Sequence, residues 1–252
     1  MEISLTPELI TTFLGFPITN SVLTTLLVSF IIIAASLLLQ KKISKIPKGF
    51  QNVVEFILEA LLNLADNVTG DREKSKKFFP FVATIFILVI VSNWVGLIPS
   101  LIPGGTLGIY ETHGGENILI PFIRSGSADL NMTLAIALIS VITAQIMGVA
   151  MIGGRHYAGK FFVSPFKKPY FIGTFVGLLE IISEFAKVVS FSFRLFGNVF
   201  AGEVLLTVML MLVPYFAPLP FLFLEIFVGF VQALVFAMLT LVFFKMATEA
   251  HS

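Results

Sequence analysis

The longest apolar stretch of the sequence is residues 170–213, which contains no proline. As one helix it would be roughly 65 Å long at 1.5 Å per residue, about twice the ~30 Å thickness of the hydrocarbon core of a bilayer. Such a segment must either cross a membrane at a steep tilt or break at one of its glycines. No proline or polar turn cluster flanks these glycines, so we expect an unbroken, steeply tilted helix.

Four further apolar segments are long enough to cross a bilayer, which takes roughly 20 residues of helix. They are residues 22–39, 78–98, 130–152 and 221–248. Charged residues make up 12% of the chain, about half their usual share in a soluble domain. We therefore predict an all-α integral membrane protein, a single membrane domain over residues 1–252 with five transmembrane helices. Because the prolines of residues 214–220 make a turn, the last two helices form a long, steeply tilted hairpin.

Residues 50–68 differ in kind from the five apolar segments. Apolar side chains recur at spacings of three and four residues, as at Val54, Ile57, Leu58 and Leu61, while acidic and amide side chains fill the other face. This period predicts an amphipathic helix that lies at the membrane interface or packs on another helix, and does not cross the bilayer.

The cations are distributed unequally between the two sides of this topology. One side carries four in each of three loops and one near the C-terminus: Lys41, Lys42, Lys45, Lys48, Arg72, Lys74, Lys76, Lys77, Arg155, Lys160, Lys167, Lys168 and Lys245. The other side has only Arg124, among several acidic residues. Since Lys and Arg are enriched in cytoplasmic loops, we expect an external N-terminus and a cytoplasmic C-terminus. This arrangement fits a multi-pass protein of a bacterial inner membrane, with a mitochondrial inner membrane as the alternative.

Several kinds of chemistry have no support in the sequence. The chain has no cysteine, and its three histidines lie in loops or at the tail without partners for a metal site. It has no glycine-rich phosphate loop, and a net charge of +1 does not indicate nucleic-acid binding. We expect no cofactor and no nucleotide chemistry on this chain.

Apart from Lys245 near the C-terminus, six charged residues fall within the last two predicted helices: Glu180, Glu184, Lys187, Arg194, Glu203 and Glu225. A charge at the bilayer centre costs between about 2.5 and 17 kcal/mol, so each should face protein or water. Glu184 and Lys187 are three residues apart, which favours a structural ion pair. Glu225 and Gln232 are seven residues apart and share a face of the last helix.

Helical geometry separates the polar groups of the long helix into two faces. At 100° per residue, Glu180, Arg194 and Asn198 lie within about 40° of one another, whereas Glu203 faces the opposite way. Because a guanidinium keeps its proton, Arg194 can act as a fixed positive charge that makes a nearby carboxylic acid release its proton. This arrangement suits ion translocation coupled to a moving acid on another protein.

Four motifs identify a family resemblance that covers almost the whole chain. The segments "SFSFRLFGNVFAGE" and "FVQALVFAMLTLVFF", with "SGSADLNMTLA" and "SNWVGLIP", resemble subunit a of F-type ATP synthases. That family provides the stator channel against which a ring of c subunits turns. The resemblance implies partners in the c-subunit ring, the b-type peripheral stalk subunits and the remainder of the synthase, and a non-catalytic role in proton transport.

The resemblance also implies a role for each polar residue. Arg194 would strip the proton from each arriving c-subunit carboxyl and keep two proton half-channels apart. Asn198 and Gln232 would be its polar neighbours. Further residues would line the two half-channels: Glu203, Glu225 and Asn93 the outer inlet, and Glu180 with Ser183 and Ser190 the exit.

Two positions depart from the pattern of some family members. An aspartate follows the equivalent of Asn93 by three residues in those members, whereas this chain has Gly96, so an inlet acid is missing or is supplied by Asp129. Histidine occurs in some members at the position of Glu225. A carboxylate there keeps a titratable group but changes the pH range in which it works.

Other interpretations remain open at this stage. A self-contained secondary transporter would also place charges in the membrane, but transporters usually show repeated halves with broken helices. A purely structural anchor would not explain six membrane charges in two helices. Asn93, Gln145 and Asn131 are also compatible with simple hydrogen bonds between helices. The choice between H⁺ and Na⁺ depends on the ring, which lies outside this sequence.

Overall fold

The structure is a computed structural model that describes residues 6–13, 15–41, 43–44, 46–101, 108–113, 116–154, 157, 172–213 and 216–249. Outside this part of the chain lie six of the basic residues used above to predict the orientation: Lys42, Lys45, Arg155, Lys160, Lys167 and Lys168.

Helices make up most of the described residues. In chain order they are α1 Asn20–Gln40, α2 Phe50–Thr69, α3 Arg72–Gly96, α4 Ile98–Leu101, α5 Leu130–Ile152, α6 Ile172–Leu212 and α7 Pro218–Thr248. The described part of the chain has five helices long and apolar enough to cross a membrane, namely α1, α3, α5, α6 and α7. The predicted all-α membrane fold with five spans is therefore confirmed.

The long helix α6 runs for 41 residues without interruption. It passes through Gly177, Gly197 and Gly202 in continuous helical conformation. At 1.5 Å per residue its length is roughly 60 Å, so the predicted unbroken helix is confirmed over Ile172–Leu212.

Helices α3 and α7 begin several residues earlier than the sequence pattern predicts. Helix α3 begins at Arg72 because the Asp71 carboxylate accepts hydrogen bonds from the backbone N–H groups of Glu73 and Lys74, at 2.8 and 3.4 Å. Helix α7 begins at Pro218, within the segment predicted to be only a turn. A proline in the first turn of a helix breaks no hydrogen bond, because the N–H groups there have no partner within the helix.

Two short hairpins precede α1 and α5 and were not predicted. Strands β1 Leu9–Phe13 and β2 Phe16–Thr19 pair antiparallel, as do β3 Gly108–His113 and β4 Glu116–Pro121. Both lie in the segments expected to be outer loops. They add no span, since each strand has only four to six residues.

Helix α7 is the centre of the packing, in contact with α2, α3, α5 and α6. Aromatic side chains fill these contacts. The ring centroids of Phe78 and Phe244 are 5.3 Å apart, and those of Phe191 and Phe236 are 4.4 Å apart. The amphipathic α2 joins this core through the buried Leu61 and Ala65. The α6–α7 pair is thereby fixed against α3 and α5.

Candidate functional site

Arg194 lies near the middle of α6 and is exposed. Among the described residues, its guanidinium has no hydrogen-bond acceptor and no ion-pair partner. Its neighbour Phe193 is 53% exposed. A cation in a membrane helix is costly without a partner, so Arg194 should face water or a group outside this part of the chain.

Asn198 lies one turn after Arg194 and is also exposed. Its Nδ2 donates a hydrogen bond of 2.7 Å to Oε1 of Gln232 on α7. Gln232 is only 4% exposed, and its Nε2 has no hydrogen-bond partner among the described residues. The structure thus brings together the two amides that the family resemblance places beside the arginine.

Glu225 of α7 lies directly against the backbone of α6. The Glu225 carboxyl group occupies the place that a Cβ atom at Gly202 would take, so a larger residue at position 202 would push the carboxyl group aside. Glu225 is 8% exposed, and the described residues offer it no hydrogen bond or cation. The carboxyl group of Glu225 therefore lies between α6 and α7, beside Gly202, which directly precedes Glu203.

Asn93 of α3 contacts α7 between the polar residues Glu225 and Gln232. Its Nδ2 donates a hydrogen bond of 3.2 Å to the backbone oxygen of Gly229, which lies between Glu225 and Gln232 on α7. Glu225, Gly229 and Gln232 are spaced by four and three residues along α7, a rise of about 4.5–6 Å at each step. Oδ1 of Asn93 is buried without a partner among the described residues. Buried orphan groups of this kind commonly mark a place for water.

Glu203 of α6 forms an ion pair with Arg124, from the segment before α5. The Nε atom of Arg124 is 3.2 Å from Oε1 and 3.3 Å from Oε2 of Glu203. Arg124 is 6% exposed and also donates a hydrogen bond of 3.0 Å to the backbone oxygen of Thr6. This pair was not predicted, because the sequence showed Arg124 only as the one cation of an acidic side.

Asp129, predicted as a possible inlet acid, is buried at the start of α5. Its Oδ1 accepts a hydrogen bond of 2.9 Å from the backbone N–H of Asn131 and caps the helix. Its Oδ2 accepts one of 2.7 Å from the hydroxyl of Ser21. These contacts fix α5 to α1, and a part in ion transfer stays a prediction.

Gly96 has a packing reason for lacking a side chain. A Cβ atom there would lie 2.4 Å from Cβ and 2.7 Å from Cα of Ser125. The buried segment 124–129 therefore packs closely against α3 at this point. An acid cannot fit at position 96 with this arrangement.

The predicted exit residues lie along the first half of α6. Glu184 and Lys187 form the predicted ion pair, with 2.7 Å between Oε1 and Nζ. Glu180 is half-buried, and Ser183 and Ser190 are exposed. Near this end of α6, the hydroxyl of Tyr157 donates a hydrogen bond to Oε1 of Gln145 on α5.

Tyr157 is a second residue that sequence reasoning missed. Its burial, followed by the negative charges of Glu184 and then Glu180, raises the pKa of Tyr157 to about 12. The phenol therefore stays protonated and remains a hydrogen-bond donor at physiological pH. Its ring packs against Gly148, where a Cβ atom would come within 2.5 Å.

Comparisons with known proteins cover most of the chain. Residues 21–245 match the family described as ATP synthase A chain. The chain is 30% identical over 236 residues to ATP synthase subunit a of Moorella thermoacetica, covering 93% of both chains. It is 33% identical over 228 residues to ATP synthase subunit a of Campylobacter jejuni, covering 89% of both chains.

Proposed function

Because the chain belongs to the ATP synthase A chain family, we propose that it is the stator subunit that conducts protons in two half-channels separated by Arg194. A carboxylic acid carried past Arg194 would lose its proton, because a nearby fixed cation stabilises the carboxylate. The guanidinium cannot lose its own proton, so it also blocks direct passage between the two half-channels.

The observation that carries this proposal is the surroundings of Arg194. The cation is exposed on the longest membrane helix and lacks a counter-ion among the described residues. The Asn198–Gln232 hydrogen bond lies one turn away and supplies neutral polar groups beside it. Such a site is ready to receive a mobile carboxylate from another protein.

Polar residues on either side of Arg194 support the two half-channels. Towards one end of the α6–α7 pair lie the proposed inlet residues Glu203, Glu225 and Asn93, with Asp129 nearby at the start of α5. Towards the other end lie the proposed exit residues Glu180 and Ser190. The orphan amide atoms of Asn93 and Gln232 favour water between the inlet and the arginine.

The exposed face of α6 suits a rotating partner. Exposed large apolar side chains share the face of Arg194, among them Val176, Leu179 and Leu212. We propose that the c-subunit ring passes over this face, while b-type stalk subunits hold the chain still. The charge asymmetry of the sequence supports an external N-terminus and a cytoplasmic C-terminus in a bacterial inner membrane.

A self-contained secondary transporter is less well supported. Such proteins commonly bind substrates where membrane helices are broken near the bilayer midplane. Helix α6, which carries five of the six membrane charges, is continuous through its glycines.

Replacing Arg194 by alanine tests the proposal. We expect Arg194→Ala to abolish ATP-driven proton pumping and ATP synthesis in membrane vesicles, while the complex still assembles. The matched control is Arg72→Ala, which removes an exposed arginine at the start of α3 and should leave pumping intact. Normal pumping by assembled Arg194→Ala complexes would overturn the proposal.

A further inference from the structure

Helix α6 carries two cations that point to nearly the same side of the helix. Lys187 precedes Arg194 by seven residues, so the two lie about 20° apart around the axis and roughly 10 Å apart along it. Arg194 is exposed, whereas the Lys187 side chain is only 15% exposed. Resting on the function proposed above, we propose that Glu184 and Phe243 form a clamp that holds the Lys187 ammonium against α7. A carboxylic acid carried past this face of α6 then meets only Arg194.

The Glu184 carboxylate draws the ammonium away from the open face of α6. Its Oε1 lies 2.7 Å from Nζ of Lys187, and both side chains are 15% exposed. Glu184 precedes Arg194 by ten residues, which places it about 80° from Arg194 around the helix. This is the side on which the fully buried Leu195 lies. The ion pair therefore directs the ammonium towards the packed side of α6.

An aromatic ring of α7 contacts the same ammonium. Nζ of Lys187 lies 5.3 Å from the ring centroid of Phe243, within the range of a cation–π interaction. The Phe243 ring is itself packed, because its centroid is 4.9 Å from that of Phe191, which is 3% exposed. Without these contacts the flexible four-carbon stem of lysine would let the ammonium take other positions. Two helices therefore contribute to the placement of one cation.

A second free cation on this face would oppose the proposed transfer. A carboxylic acid that approaches a positive charge loses its proton more readily, because the charge stabilises the carboxylate. A free Lys187 ammonium would thus offer a second resting place for the moving carboxylate, displaced from Arg194 towards the proposed exit residue Glu180. The carboxylate would then have to leave two cations in succession before it could take up a proton again.

Neutralised variants made in the whole synthase test the clamp. Glu184→Gln releases the ammonium, Lys187→Met removes it, and the double variant Glu184→Gln/Lys187→Met removes both charges. ATP-driven proton pumping is measured in vesicles and expressed per assembled complex. The matched control is Glu73→Gln, which breaks an exposed pair of the same spacing with Lys76 at the start of α3 and should pump like the wild type.

We expect Glu184→Gln to lower pumping about tenfold, a change equivalent to ~1.4 kcal/mol in a barrier, whereas Lys187→Met and the double variant should stay within about twofold of the wild type. An ion pair with only a structural role predicts a different result, because loss of either partner should then be comparably damaging. The proposal is overturned if Glu184→Gln pumps normally or if assembled complexes of the double variant pump no better than Glu184→Gln. It is also overturned if Lys187→Met loses as much pumping as Glu184→Gln.

A cross-linking measurement detects where the ammonium lies. A membrane-permeant carbodiimide joins a carboxyl group to an amine as an amide, and becomes a urea by taking up the water that is lost. In Glu184→Gln complexes, mass spectrometry of the peptides should find Lys187 joined to a carboxyl group of the c-subunit ring. In wild-type complexes Lys187 should instead be joined to Glu184. Absence of the ring product from assembled Glu184→Gln complexes, or an equal yield in the wild type, would contradict the proposal.

Phe243→Leu covers the case in which Glu184→Gln does not assemble, because it leaves both charges in place. We expect pumping to fall about two- to threefold and to recover when Lys187→Met is added, since the loss comes from a less restrained ammonium. Normal pumping by Phe243→Leu, or no recovery in that double variant, would then refute the clamp. Failure of the general function is distinguishable, because Arg194→Ala complexes would pump normally in that case and stay inactive if only the clamp is wrong.

Discussion

Arg124 and Arg194 are the same residue type in opposite surroundings. Arg124 lies in the compact segment before α5, is 6% exposed, and is held by Glu203 and by the backbone oxygen of Thr6. Arg194 lies on an open face of α6, and the described residues give its guanidinium no partner. A charge is costly at both positions inside a membrane protein, and within the described part of the chain only Arg124 has partners that offset this cost.

The difference shows how a membrane charge can be interpreted from its partners. A cation that is fully bonded within its own chain fixes helices and segments to one another. A cation left open in a rigid helix is available to a group on another molecule. On this basis we assign Arg124 a structural role beside the proposed inlet, and Arg194 a role in the proposed contact with the rotor.

Lysine substitution at the two positions should separate these roles most strongly. We expect Arg194→Lys to reduce proton pumping to background, because an ammonium has a different reach and can lose its proton when desolvated. The thermal midpoint of the complex should not change, since no described contact is lost. Arg124→Lys should retain measurable pumping, because it keeps a positive charge facing Glu203, and should lower the thermal midpoint.

These lysine variants are compared by pumping assays and by heating the purified complex until the subunit dissociates. A fully active Arg194→Lys complex would show that any cation suffices at this position. A large loss of thermal stability in Arg194→Lys would show that Arg194 has a structural partner and would remove the contrast with Arg124.

Gly96→Ala should disturb the segment of Arg124 while leaving Arg194 untouched. The added Cβ would overlap Cα and the backbone nitrogen of Ser125, at 2.7 and 2.9 Å, which cannot move aside like the end of a flexible side chain. We expect a loss of about 1–3 kcal/mol in stability, typical of overpacking. The control is Gly154→Ala, where the nearest side-chain atom is 3.8 Å away. Equal thermal midpoints for the two variants would contradict the close packing of segment 124–129 on α3.

The difference between local and distant contacts explains what could be predicted from the sequence. The length and period of apolar segments predicted the five spans and the amphipathic helix, because these patterns are local. Spacing along one helix also predicted the Glu184–Lys187 pair. The Arg124–Glu203 pair joins residues 79 positions apart through a loop, and no periodic pattern encodes such a contact.

Asp129 and Pro218 show a signal that was present but not used. An aspartate directly before an apolar run is a common helix N-cap, and Asp129 caps α5 in this way. A proline in the first turn is equally typical of a helix start, as at Pro218. Asp129 was interpreted as a possible inlet acid, and Pro218 as part of a turn. The position of each residue also matched a helix start.

Tyr157→Phe tests a buried side chain that is neutral and has a hydrogen-bond partner, and we expect it to have the smallest effect of these substitutions. The substitution removes the hydrogen bond to Gln145, so we expect a loss of about 0.5–1.5 kcal/mol in stability at pH 7. Burial and then the charges of Glu184 and Glu180 raise the pKa of Tyr157 from 10.0 to about 12. Between these values the folded protein binds more protons than the unfolded chain, so this contribution to wild-type stability falls as pH rises.

Phenylalanine has no such proton, so the stability difference between wild type and Tyr157→Phe should shrink as the pH rises above about 10. Dissociation midpoints of the two complexes, measured from pH 7 upwards, provide the check. A difference that grows at alkaline pH would mean that the ionised phenol is favoured in the folded state. Tyr157 would then face a cation, as Glu203 does. It could no longer serve as the neutral comparison for the Arg124–Glu203 ion pair.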